Sequence, residues 1–132
     1  MLKPTARTVF NAYFSFDASK INYMRPEACA YALTMCNVRA GSVVAIVGDA
    51  SSAALCGAVL ERLGSDERLL LLHGTRRAPS LTALRHWPPT FARRVDFAAI
   101  GSDAARSWAA TRGGVDCLLC AGRIDPRQVF LR

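Results

Sequence analysis

Residues 42–64 read SVVAIVGDASSAALCGAVLERLG, and this stretch decides the fold. Residues 43–47 form an uninterrupted apolar run rich in β-branched side chains, as a central parallel strand covered on both faces requires. The small residues Gly48-Asp49-Ala50-Ser51-Ser52 then make a turn, and Ser51 or Ser52 can cap the helix that follows. That helix, expected over residues 53–63, is small and apolar on most sides and should pack closely on a sheet. Gly64 is a natural end for it. After a polar turn at residues 66–68, the run from Leu69 to Leu72 is a second strand. A strand–helix–strand unit of this kind crosses over with a right hand. The fold expected is therefore α/β and Rossmann-like: a mostly parallel sheet with flanking helices.

Upstream, Pro26 opens a helix over residues 27–36, because the N–H it lacks is not needed at the first helical position. Ala28, Tyr31, Ala32 and Met35 recur at helical spacing and define one face. Gly41 marks the turn into the first strand. Residues 1–20, with Phe10, Tyr13, Phe14 and Phe16, read as an N-terminal arm. Residues 21–132 read as the Rossmann-like domain. Downstream, residues 81–87 suggest a short helix with Leu81, Leu84 and Trp87 on one side, stopped by Pro88-Pro89. A third strand is expected at residues 95–100. Ser102 can cap a helix reaching Thr111, although the Ala-rich segment also allows one continuous helix over residues 97–112. A last strand is expected at residues 115–121. Three or four strands are fewer than most open cofactor-binding sheets use, so the fold is expected to lack its last strands.

The chain has 132 residues, 52% of them hydrophobic and 20% charged, which suits one domain with a real core. No run approaches the roughly 18 apolar residues of a membrane span, and the N-terminus lacks the continuous apolar segment of a secretory signal. The net charge is +7, carried by 15 Arg and only 2 Lys. Arginine suits bidentate phosphate contact, so nucleic acid is an allowed partner. A scatter of solvated arginines would give the same charge. The five cysteines are an odd number and several sit in apolar runs, as in a reducing, intracellular compartment. Cys117-x-x-Cys120 has the spacing of half a metal site. On a strand, however, residues three apart face opposite ways, so no metal or redox role is expected.

The chemistry of a cofactor site is thinned out. Close approach of backbone to a ligand after the first strand calls for several glycines. Gly48 is the only one here. Asp49 reads either as a ligand contact or as a turn and helix-capping residue. The second strand runs into His73, where a ribose-holding site places a carboxylate. Asp103 follows the third strand and reads as a helix N-terminal residue favoured by the dipole. Asp125-Pro126 is displaced from the end of the fourth strand by three residues. No nucleophile–base arrangement or Lys-bearing phosphate loop is present, so no catalytic residue is assigned.

Several segments together resemble a known family. They are Tyr23-Met24-Arg25-Pro26-Glu27, the helix end Leu33-Thr34-Met35-Cys36-Asn37-Val38-Arg39-Ala40-Gly41, the 42–64 stretch itself, Leu72-His73, and VDCLLCAGRIDP at residues 115–126. In this order and spacing they are similar to the non-catalytic subunit of the eukaryotic tRNA (adenine-N1) methyltransferase. The resemblance implies a degenerate and here partial or shortened methyltransferase fold, with Ser51-Ser52 where the family keeps a glycine pair. It implies a tRNA-binding, structural role with no enzyme activity of its own. It also implies a catalytic methyltransferase homologue as partner, in a heterotetramer in which that partner holds S-adenosylmethionine, and a nuclear location. No cofactor is expected on this chain, with Gly48, Asp49 and His73 as the degenerate positions. By the same analogy the candidate RNA contacts are Arg25, Arg76, Arg77, Arg93, Arg94 and Arg123. Two other readings are an active S-adenosylmethionine-dependent RNA methyltransferase using Gly48, Asp49 and Asp103, and a scaffold domain in a larger assembly.

Overall fold

The computed structural model describes residues 6–21, 24–63, 67–74 and 78–121. Among these, four strands form one parallel sheet: β1 (Val44–Val47), β2 (Leu69–His73), β3 (Val95–Ala99) and β4 (Cys117–Cys120). Their order is β3-β2-β1-β4. The chain steps outward from β1 to β2 and β3, then returns across β1 to lay β4 on its other side. This is the strand order of a Rossmann half, with its switch point between the carboxyl ends of β1 and β4. All four residues of β1 are buried, as their uniform apolar character requires of a central strand.

The helices are α1 (Ala6–Phe16), α2 (Pro26–Met35), α3 (Ala53–Arg62), α4 (Thr90–Arg93) and α5 (Asp103–Ala110). Residues 53–60 of α3 are all buried. Its Ala, Cys and Gly residues let its backbone approach the sheet on one side and other elements on the other. Gly57 shows why. A Cβ built there would lie 2.6–2.7 Å from the Trp87 indole, so the ring occupies the place of a side chain. Trp87 Nε1 donates to Glu61 Oε1 at 2.7 Å, and the same oxygen accepts from the Ala6 backbone N–H at 3.0 Å. One carboxylate thus ties α1, α3 and the 80–87 segment together.

Residues 6–16, within the stretch set apart as an arm, form α1, and Val9 and Phe10 are buried in the main core cluster with α2, α3 and the sheet. The Tyr13 hydroxyl is 3.0 Å from His86 Nε2. In α2 the expected face is corrected. Cys29 and Leu33 point inward, whereas Tyr31 and Met35 are 68% and 67% exposed. This helix is apolar nearly all round, so more than one stripe has helical spacing and packing chooses between them. α2 ends with Asn37 at φ 56°, with Asn37 N–H donating to Thr34 O and Val38 N–H to Leu33 O. This paired closure leaves the left-handed position to Asn.

On the opposite face a smaller cluster joins Ala45, Leu70 and Ala98 to Leu72, Ala105 and Trp108 of α5. The continuous helix over residues 97–112 does not form: β3 runs to Ala99 and Ser102 caps α5, accepting from Ala105 N–H at 3.2 Å. Residues 82–86 are a 3-10 turn rather than an α-helix. The last strand is shorter than expected, and Gly64 lies outside the described residues. Asp96 is the polar anchor of this face. It takes two bonds from Arg68, at 2.9 and 2.6 Å, and one from Trp108 Nε1 at 2.9 Å.

Candidate functional site

In open parallel sheets, ligands bind outside the carboxyl ends of the strands at the switch point. Gly48, Asp49 and Ser52 stand there. Register pairs Val47 with Leu72, so Gly48 and His73, the last residue of β2, sit side by side at the carboxyl ends of the two strands. Gly48 N–H donates to Leu72 O at 3.1 Å, and Ala121 N–H donates to Val47 O at 2.7 Å. The turn is therefore pinned to β2 on one side and to the end of β4 on the other.

The turn is closed by its own side chains. Asp49 Oδ1 accepts from Ser51 N–H at 2.9 Å and from the Ser51 hydroxyl. Ser52 Oγ accepts from Asp49 N–H at 3.3 Å and donates to Ala121 O at 3.4 Å. Asp49 and Ser52 thus form a reciprocal capping pair around the 3-10 turn Ala50–Ser52 that leads into α3. Of the two readings of Asp49, the geometry is that of the cap. A Cβ added to Gly48 would lie 2.0 Å from Ser52 Oγ and 2.8 Å from Ala121 O. In a working cofactor loop the space beside such a glycine admits the ligand. Here Ser52 and the Ala121 carbonyl stand against Gly48, so its missing side chain serves the packing of the turn.

His73 is 8% exposed, and its carbonyl accepts from Ile100 N–H at 3.0 Å. Strand alternation places its side chain with Leu69 and Leu71 on the α3 side of the sheet. Asp103 is exposed at the start of α5 and pairs with Arg106 at 2.9 Å, where the helix dipole favours a carboxylate.

Of the candidate RNA contacts, Arg25, Arg93 and Arg94 fall among the described residues. Arg25 is exposed just before α2, its guanidinium 4.8 Å from the Phe14 ring centre. Arg93 and Arg94 immediately precede β3 and so lie at the amino end of the sheet. Gly48 and His73 lie at the carboxyl end, on the order of 15 Å away along a strand. Arg93 is exposed, but Arg94 is half-buried: its Nε donates to Glu67 O at 2.7 Å and its guanidinium stacks 5.3 Å from Phe91. Arg76, Arg77 and Arg123 lie outside the described residues, as does Asp125.

Cys117 faces inward and Cys120 outward, so the two thiols diverge as strand geometry requires. Among the described residues no three His, Cys, Asp or Glu side chains converge as a metal site would require. Burial pushes the thiols of Cys29, Cys56 and Cys117 up to about 11, 12 and 12. Such groups remain protonated and poorly nucleophilic at neutral pH.

Sequence reasoning missed one feature at this end of the sheet. A cleft of about 480 Å³ opens beside the turn, lined by Tyr13, Ser19 and Lys20 on one side and by Asp49, Ala50, Ser51, Thr82 and Ala83 on the other. Three separate segments build it, so no local motif announces it. The one visible signal was Lys20, a rare lysine in an arginine-rich chain.

Comparison with known proteins bears on this geometry. Residues 1–96 match the model of the Gcd10p family. Over 92 residues the chain is 34% identical to the tRNA (adenine(58)-N(1))-methyltransferase non-catalytic subunit TRM6 of Mus musculus. That alignment covers 69% of this chain and 18% of the mouse protein. The chain therefore spans about a fifth of the length of that relative. Residues 1–96, matched by the family model, include the self-closed turn, both central strands and α1 to α3, and on this match the chain belongs to the Gcd10p family.

Proposed function

We propose that this chain is a non-catalytic, tRNA-binding and structural part of a tRNA (adenine-N1) methyltransferase complex. The observation that carries the reading is the Gly48–Ser52 turn, whose Asp49 and Ser52 side chains are engaged in capping their own backbone. The family relationship supports it: the mouse relative is named as a non-catalytic subunit. S-adenosylmethionine then belongs to a catalytic homologue that pairs with this chain, in a heterotetramer located in the nucleus. This chain adds backbone surface and positive charge for tRNA, with Arg25 and Arg93 as exposed candidates beside Arg76, Arg77 and Arg123. Arg94 contributes less, because its guanidinium already serves Glu67 and Phe91.

Three measurements test this. Isothermal titration of the isolated chain with S-adenosylmethionine is expected to show no binding, and micromolar affinity would overturn the reading. Co-expression with a catalytic methyltransferase homologue is expected to yield a copurifying complex, and separate elution of the two would remove the partner assignment. For RNA, Arg76→Ala with Arg77→Ala should reduce the slope of log affinity against log salt by up to about two units. An unchanged slope would take these two arginines out of the interface.

A further inference from the structure

We propose that Cys36 and Cys117 are a reversible redox pair, which closes to a disulfide between the end of α2 and the start of β4 when a low-molecular-weight disulfide such as oxidised glutathione accumulates. This goes beyond the methyltransferase-complex reading and does not depend on it.

The two residues are far apart in sequence and meet through the fold. Cys36 is the C-cap of α2, and Cys117 is the first residue of β4. Their thiols share a hydrogen bond. A second sign that the segments meet is independent of the sulfurs: Cys36 and Asp116 line the same cleft, of about 410 Å³. Cys117 belongs to the main core cluster, and Cys36 packs against that cluster. Both backbones are held in place. Cys36 N–H donates to Ala32 O at 3.0 Å, and the N–H groups of Asp116 and Cys117 both donate to Val43 O, at 2.8 and 3.2 Å. Asp116 Oδ2 in turn accepts from Val43 N–H at 2.8 Å. Two sulfurs already in contact are placed to reach the disulfide bond length of about 2.0 Å by side-chain rotation. Cys120, the other member of the C-x-x-C spacing, points to the opposite face and is not the partner.

The two thiols have unequal roles. Cys36 is half-buried and opens on the cleft, whereas Cys117 is only 7% exposed. Burial first, then the Cys36 thiol and the Asp116 charge, push Cys117 up to about 12, so it waits as a thiol. Cys36 attacks first, as thiolate, on one sulfur of glutathione disulfide. That S–S bond breaks, one glutathione leaves as thiolate, and a mixed disulfide remains on Cys36. Cys117 then gives up its proton, its sulfur bonds to Cys36 Sγ, and the second glutathione leaves. The chain loses two electrons and two protons, and one glutathione disulfide becomes two glutathione thiols. In a reducing compartment such a pair stays open and closes only as the disulfide level rises. The element it would fix is the one held least. Among the described residues β4 is hydrogen-bonded to β1 alone, and the new bond ties its start covalently to α2.

The test uses the full chain carrying Cys120→Ser, which removes the exposed thiol and leaves four of the five cysteines. The protein is incubated in native buffer with oxidised glutathione, then digested without reduction and mapped by mass spectrometry. One peptide pair joined through Cys36 and Cys117 is expected. The intact mass should fall by two hydrogens with no glutathione retained, and the thiols counted in denaturant should drop from four to two. Dithiothreitol should restore them. The oxidised chain should melt at a higher temperature than the reduced one, and Cys36→Ser should abolish that difference. Cys117→Ala in the same background should instead trap one glutathione on Cys36. Retention of glutathione on Cys36 while Cys117 is present would overturn the proposal. So would a link to Cys29 or Cys56, or four unmodified thiols after equilibration. If Cys117→Ala fails to fold, the peptide map of the parent chain decides alone.

Discussion

Asp49 spends its charge on its own backbone. Its carboxylate takes Ser51 N–H and the Ser51 hydroxyl, while Ser52 returns a bond to Asp49 N–H. Asp49→Ala should therefore cost about 1 kcal/mol of stability, the usual cost of losing such a cap, and should leave S-adenosylmethionine binding absent as before. Thermal denaturation measures the first and calorimetry the second. Asp96 is a different case. The Arg68 hydrogen bond holds its carboxyl below the usual range against the opposing effect of burial, with lesser help from Trp108 and the charges of Arg68 and Arg112. A carboxyl depressed on folding stabilises above its unfolded value, near 3.9, and that contribution is lost as pH falls through the folded value. Both side chains are partly exposed, 44% and 29%, so solvent screening keeps the effect at no more than ~1 kcal/mol. Asp96→Asn should lower the melting temperature at neutral pH and flatten its decline in acid. Equal acid slopes for the two proteins would show that the ion pair is not felt.

At the scale of elements, α3 is the piece on which the layers close. Trp87 lies where a Cβ on Gly57 would be, so Gly57→Ala should overpack the helix face and destabilise by roughly 1–3 kcal/mol. Urea denaturation would register this as a lower midpoint with an unchanged slope. The β1–α3 unit was legible in the sequence because an uninterrupted apolar run and a small-residue helix leave few alternatives. α2 was legible as a helix but not as a face. Tyr31 and Met35 have the larger side chains, yet Cys29 and Leu33 are the ones buried. Hydrophobicity in a helix apolar all round does not say which stripe meets a neighbour. Helix α1 was missed although Phe10, Tyr13 and Phe14 recur at helical spacing, and its place depends on distant partners, Glu61 and His86. The candidate site divided in the same way. Gly48, Asp49 and His73 were readable because they are fixed by the strand ends. The cleft was not, since Lys20, Ser51 and Thr82 meet only after folding. Arg93 and Arg94 precede β3, so one strand length separates them from His73.

Across the whole molecule the two faces of the sheet are unequally covered. Among the described residues the α1–α2–α3 side holds the main cluster, while α5 covers only part of the other, with Leu118 and Cys120 outward. Thiol chemistry reads this asymmetry. Cys120 is exposed, Cys36 is half-buried, and Cys29, Cys56 and Cys117 are buried. Titration with Ellman's reagent should give a fast phase from Cys120, a slower one from Cys36 and its neighbour Cys117, and two thiols that react only on denaturation. Cys120→Ser should remove the fast phase. Rapid reaction of Cys29 or Cys56 in native buffer would contradict the packing of α2 and α3 described here.

The two tryptophans stand on opposite sides of the same sheet: Trp87 against Gly57, Trp108 on α5 beneath the Arg112 guanidinium at 4.0 Å. The protein thus carries one intrinsic fluorophore per layer. Emission from a Trp108→Phe variant would follow the loosening of the thick layer alone, and a Trp87→Phe variant that of the thin one. Non-coincident curves would mean that the two sides of the sheet melt as separate units.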